Sequence, residues 1–220
     1  MKARPGAYLG WKRKAAPGVD GVTGDPYADG QRDRLTDRPD RVPSGVCRAL
    51  PIRRVYLPQA DGSPRPLGIE AREDQIVQQA LGDLLLTPIY EAEWLGFSYG
   101  FRPPRSVPNA RDARAVGITR RKVNGILDAD LRGFLDEVHR NGFIRFLEPR
   151  IGDQRGIRRI IQGLHAGGME EGPGSDTEKG MPPGALGSPV WANLDLHYVL
   201  DRWTKKGRRT RAGGDVLIVR

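Results

Sequence analysis

The order of apolar and polar positions divides the chain into short, dissimilar elements. Pro51-Ile52-Arg53-Arg54-Val55-Tyr56-Leu57-Pro58 alternates as a strand does. Asp61-Gly62-Ser63 reads as a hairpin turn, with Arg65-Pro66-Leu67-Gly68-Ile69 as the return strand. Ile76, Val77, Ala80, Leu81, Leu84 and Leu85 then follow helical spacing, and Asp74 is placed to cap that helix. Pro88 is expected to kink it or to open a second helix running to about Trp94. Residues 96–108 form a loop of glycines, aromatics and arginines, and Ala110 to Lys122 suits a helix that Gly117 weakens. Gly125 to Leu131 reads as a buried strand carrying two carboxylates. Helices are expected over Asp136–Leu147, Gln154–Ala166 and Ser188 towards Lys205, with Ser188 as cap and Pro189 in the first turn. Met169 to Gly180 suits a polar surface hairpin, and Asp215 to Arg220 a terminal strand. Pro17 to Thr23 reads as a turn, and Asp25 to Arg41 has almost no periodicity. Helices and strands mix without a βαβ rhythm, so the fold class is α+β.

Charge adds a partner to this picture. The chain of 220 residues carries a net charge of +9 and a pI near 10.0, mostly through arginine. That excess favours a polyanion, and the planar guanidinium suits phosphate because it binds two oxygens at once. The 38% hydrophobic and 29% charged content fits a globular protein and excludes an unstructured one. No apolar run approaches the roughly 20 residues of a membrane span, and Cys47 has no internal partner for a disulfide. Both point to the cytoplasm. One cysteine and three scattered histidines exclude a Cys/His metal cluster. No phosphate-binding loop of the P-loop kind occurs, and Ser188 has no base near it in sequence, which leaves a hydrolase poorly supported. Trp94, Trp191 and Trp203 are expected in the core or between lobes.

The remaining chemistry is carboxylate chemistry. Residues i and i+2 of a strand share a face, so Asp128 and Asp130 would lie side by side and repel unless water or a cation intervened. Polymerases hold two Mg²⁺ ions with an Asp at a strand end. Asp130-Leu131-Arg132-Gly133-Phe134-Leu135-Asp136 adds a glycine that permits close backbone approach, and an aromatic that can screen a sugar or simply pack in the core.

That run resembles the first catalytic motif of group II intron reverse transcriptases. Other segments resemble the same family in the same order. Pro17 to Thr23 is similar to the N-terminal extension. Arg53 to Pro58, Asp61-Gly62 and Arg65 to Ile69 are similar to the fingers hairpin. Asp74 to Ala80 and Phe97 to Pro103 resemble the next block, and Gly180 to His197 the motif beneath the template–primer helix. Asp215 to Arg220 resembles the strand that leads into the Tyr-Ala-Asp-Asp hairpin. Retron, diversity-generating and CRISPR-associated reverse transcriptases share parts of these motifs.

The resemblance implies a right-hand polymerase fold with an N-terminal extension (1–50), fingers (51–122) and an incomplete palm (123–220). It implies RNA-directed DNA polymerase ancestry, two Mg²⁺ ions as cofactors, dNTP as substrate, and intron RNA or a template–primer as partner. Asp130 would be the first metal ligand and catalytic residue, with the Leu131 carbonyl a second ligand. Arg65 and Phe134 would meet the nucleotide, and Arg53, Arg54, Arg102 and Arg105 the RNA. Departures accompany it. Gln59 replaces a usual Lys, Pro183 a Gln, Ala185 and Pro104 glycines, and Leu135 an aromatic. His139-Arg140 stands where a polar residue and a His are usual. Arg220 falls where Tyr-Ala-Asp-Asp would begin. On that ground the expectation is a chain that binds RNA but lacks polymerase activity, as a non-catalytic remnant of an active ancestor.

Overall fold

The computed structural model describes residues 16–23, 49–60, 62, 64–103, 105–165, 168–169, 179–181 and 184–220. The expected irregular arm at Asp25–Arg41 and most of the Met169–Gly180 hairpin lie outside them.

The hairpin forms as its alternation demands. Strand β1 (Ile52–Pro58) pairs antiparallel with β2 (Pro64–Ile69), setting Arg53 opposite Ile69, Arg54 opposite Gly68 and Leu57 opposite Arg65. Gly62 supplies the left-handed φ of +81° in the turn, where its N–H meets the Gln59 carbonyl at 3.0 Å. A short strand β3 (Gly168–Met169) joins the other edge of β1 in parallel, giving the order β2-β1-β3. Ile52 is buried at the base, while Tyr56 and Leu57 near the tip are exposed. Pro17–Thr23 does turn, closed by Gly21 N–H to the Gly18 carbonyl at 3.2 Å.

Helix α1 (Arg72–Leu81) follows, then a π turn at Gly82–Leu86, then α2 (Thr87–Glu91) with Pro88 in its first turn. The expected Asp74 cap is corrected. Ala71 holds the cap position, and Asp74, within the first turn, accepts the Leu50 N–H at 2.9 Å. Pro88 lies where no interior N–H is required, so the helical path passes through it. The π turn adds one residue to the spacing. The fully buried side chains are therefore Leu86 and Tyr90, with Leu84 and Leu85 only half-buried.

Helix α3 is Val107–Arg120, capped by the Ser106 hydroxyl. Gly117 is buried there, and a Cβ at that position would collide with the Leu217 side chain. The expected helix over Asp136–Leu147 is two, α4 (Phe134–Glu137) and α5 (Arg140–Leu147). The break at Val138–His139 frees backbone groups for residues 179–181. Gly180 N–H reaches the Val138 carbonyl at 2.9 Å, and Met181 N–H reaches Leu135 at 2.7 Å. Helix α6 is Gln154–Leu164, with Asp153 as its side-chain cap. Helix α7 (Ser188–Leu196) continues through a second π turn (His197–Asp201) into α8 (Arg202–Thr210). Ser188 is not the cap. Its hydroxyl bonds back to the Ala185 carbonyl at 2.7 Å, and Gly187 takes the cap position.

One apolar core joins these helices. Tyr90, Phe143, Leu147, Ile160, Leu164, Trp191 and Leu194 are fully buried within it, and Val77 and Ile144 pack on its margin. Each such side chain contributes roughly 1.5–3 kcal/mol by leaving water. The α+β assignment stands. The two outer strands expected from sequence do not form among the described residues. Residues 122–131 are irregular and exposed, Leu127 at 91%, and 215–220 forms no strand, its end tied to Phe97 and Tyr99 through the Arg220 backbone. A strand needs a neighbour for its N–H and C=O groups, and local pattern does not supply one. No described helix is long and apolar enough to cross a membrane.

Candidate nucleic-acid interface

The end of the β1–β2 hairpin and helix α1 are locked to the 184–188 loop by a buried polar clamp. Glu70, just past β2, is 3% exposed. Its carboxylate accepts the Leu186 N–H at 3.2 Å and a short bond from the Gln78 side-chain amide. The Gln78 carbonyl oxygen accepts the Gly187 N–H at 3.0 Å. Burial pushes the Glu70 carboxyl up to about 7, against the hydrogen bonds and with a smaller push from Asp74. Gly184 completes the contact with a φ of +90°, and a Cβ there would come within 2.8 Å of the Gly68 carbonyl oxygen. Sequence reasoning missed Glu70 and Gln78. The available signal was the small-residue run Gly184-Ala185-Leu186-Gly187, whose bare N–H groups need acceptors.

The arginine-rich loop is a second hub, and it corrects an expectation. Arg102, proposed from sequence to meet RNA, is 4% exposed. Its Nε and Nη2 grip Glu91 at 3.2 and 2.7 Å, and Nη1 donates to the Leu95 and Ser98 carbonyls at 2.8 Å each. It also lies 5.2 Å from the Trp94 ring centre. A guanidinium so engaged holds the loop together and presents nothing to phosphate. Arg105 is half-buried, donates to the Gly96 carbonyl, and stacks 4.9 Å over Tyr99. Arg220 binds the same loop. Its N–H reaches the Phe97 carbonyl at 2.9 Å, and its carbonyl accepts the Tyr99 N–H at 2.6 Å. Its guanidinium clamps the fully buried Asp201 at 2.7 and 2.6 Å and touches Ser98 Oγ at 2.8 Å.

The other expected site residues divide into two groups. Arg53 and Arg54 share β1 on opposite faces. Arg53 is half-buried with its Nε lacking a hydrogen bond among the described residues, and Arg54 is exposed. Arg65 lies on β2 opposite Leu57, nearer the hairpin tip than either. Phe134 is half-buried and packs on the core. Asp128, Asp130 and Leu131 lie on the exposed irregular segment. Among the described residues no three His, Cys, Asp or Glu side chains meet as metal ligands. Mg²⁺ takes near-octahedral oxygen ligation, and two solvated carboxylates on an unpaired segment do not fit it.

Exposed cations cluster elsewhere. Helix α3 and the residues after it display Arg111, Arg114, Arg120, Arg121 and Lys122. Helix α8 contains no acidic residue and exposes Arg202, Lys205, Lys206 and Arg208 beside Trp203, itself 63% exposed. Trp94 and Trp191 are core residues as expected, whereas Trp203 is on the surface.

No family model matches the chain. It is 33% identical to Protein YkfC of Escherichia coli (strain K12) over 211 residues, 92% of this chain and 55% of that protein. It is 31% identical over 177 residues to the group II intron-encoded protein LtrA of Lactococcus lactis subsp. cremoris, 79% of this chain and 29% of LtrA. The chain is a homologue of group II intron-encoded proteins. It is also 33% identical over 149 residues to an uncharacterized 91 kDa protein in the cob intron of Schizosaccharomyces pombe, 68% of this chain and 18% of that one. It thus spans about half of YkfC and under a third of the intron proteins. Its fold is shared with a chain of a Cas6-RT-Cas1–Cas2 complex, with a TM-score of 0.50, 16% identity, and coverage of 91% of this chain and 34% of the other. In this intron-protein homologue, then, the β1–β2 hairpin, its clamp on the 184–188 loop and the Arg102 hub are assembled, while the Asp130 segment lies in solvent.

Proposed function

We propose that the chain is an RNA-binding fingers-and-palm unit of the group II intron reverse transcriptase and maturase type, working in the cytoplasm. The observation that carries this reading is the fingers hairpin clamped through Glu70 and Gln78 onto the 184–188 loop, in a chain homologous to LtrA over 79% of its length. Residues 1–50 form the extension, 51–122 the fingers and 123–220 the palm. The partner is intron RNA or a template–primer. Arg53, Arg54 and Arg65 of the hairpin, Arg105 of the loop, and the exposed cations of α3 and α8 supply the charge that phosphate requires. RNA-directed DNA synthesis from dNTP is proposed for the complete intron-encoded protein. There Asp130 and the Leu131 carbonyl serve the metal site, and Arg65 and Phe134 serve the nucleotide.

The exposure of Asp128 and Asp130 favours a second reading for the chain by itself, RNA binding without copying. Primer extension on an RNA template with Mg²⁺ and dNTPs separates the two, run beside Asp130→Ala. The expected result is RNA bound with no extended product from either protein. Extension that vanishes with Asp130 would establish the polymerase reading for this chain.

A further inference from the structure

Phe101 is the one non-glycine residue with positive φ among those described, at +50°. An L residue with an aromatic side chain enters that region only against a steric cost. Glycine is available next door at Gly100, yet the left-handed position falls on Phe101. The ring gains no packing in return, since it is 71% exposed. Lone exposed apolar side chains are ordinary, but this one stands on a fixed pedestal. Ser98 and Arg102 on either side are buried. Arg102 makes four hydrogen bonds inward, and Tyr99 is held by the Arg220 carbonyl at 2.6 Å and by Arg105 above its ring. Helix α3 begins six residues later and exposes Arg111 and Arg114.

A rigidly held, solvent-facing aromatic in a strongly basic chain matches the pattern by which proteins hold unpaired nucleotides. We propose that Phe101 is a stacking platform for an unpaired base of single-stranded RNA. This rests on the RNA-binding reading above. It adds a residue and a contact type that charge alone does not provide.

The test uses the full chain with two labelled probes of equal length and charge, an oligo(rA) and an abasic ribose-phosphate oligomer. Phe101→Gly removes the ring and relieves the left-handed backbone, while Phe101→Trp keeps a stacking surface. Wild type is expected to prefer oligo(rA). Phe101→Gly should weaken oligo(rA) binding roughly 5- to 150-fold, leave abasic binding unchanged, and unfold at an equal or higher temperature. Phe101→Trp should restore affinity to within a few-fold. Undiminished oligo(rA) binding by Phe101→Gly, or equal losses on both probes, overturns the platform while leaving RNA binding intact. Wild type that binds neither probe overturns the RNA-binding reading itself. RNA-independent self-association lost with the ring would assign Phe101 to a protein contact and also overturn the proposal.

Discussion

Replacing Glu70 by glutamine removes a charge from a site that is 3% exposed while keeping the shape of the side chain. The carboxyl titrates near 7 in the folded protein against an ordinary value of 4.5. At low pH it is neutral in both states and costs nothing electrostatically. As pH climbs past 4.5 the unfolded chain releases its proton while the folded chain still holds it, and stability falls until the folded carboxyl also ionises near 7. One pKa unit corresponds to about 1.4 kcal/mol, so wild type should lose about 2–3 kcal/mol relative to Glu70→Gln between roughly pH 5 and roughly pH 8. The amide can accept from Leu186 N–H or from Gln78 but not from both, a pH-independent cost of about 1 kcal/mol. The variant is therefore expected to be slightly weaker than wild type in acid and stronger in base. Urea unfolding of both proteins, followed by the fluorescence of the buried Trp94 and Trp191, measures the difference directly. Other titrating groups, including His197, whose pKa burial lowers, are common to both proteins and cancel. A difference that stays flat from acid to base would refute the claim that a buried, proton-retaining carboxyl holds the clamp.

Four further outcomes follow from the geometry. Arg102→Ala should lower stability by about 3–5 kcal/mol, because it strands Glu91 and two carbonyls, yet leave the salt dependence of RNA binding unchanged. Arg54→Ala should cut the slope of log affinity against log salt by about 1; filter binding across a salt series and a denaturant titration check both variants. Gly184→Ala should cost about 2 kcal/mol or more, since φ is +90° and the new Cβ meets the Gly68 carbonyl, with thermal unfolding as the readout. Asp201→Asn breaks a buried bidentate pair with Arg220 and should cost about 3–5 kcal/mol, measured in the same way.

The hairpin was legible because alternation and Asp-Gly chemistry are local, and its register followed. The helix at 72–81 was legible from its periodicity, although its cap was misplaced, because Asp74 satisfies Leu50 from within the first turn. The Gly125–Leu131 strand was read from two features, apolar flanks and i, i+2 carboxylates, that describe a strand only once a neighbour accepts its hydrogen bonds. Arg102 was misread for a related reason. An arginine in a glycine-rich loop reads as solvated, and only tertiary structure brings Glu91 and two carbonyls around it. Glu70 carried no signal by itself, since its meaning depends on a backbone N–H 116 positions away as well as on the nearby Gln78 amide.

The π turn at Gly82–Leu86 also bears on how this helix can change in length. A π turn accommodates one residue more than an α turn in the same arc, and here Leu81 and Leu86, five apart, both face the core. Deleting the exposed Asp83 would convert that arc to α geometry and leave Leu86 and Tyr90 aimed as before. The same deletion two turns earlier, within α1, would swing the Gln78 end of the clamp about 100° away from the 184–188 loop. This helix thus has a position at which the gene can lose a codon without re-aiming the protein's interior.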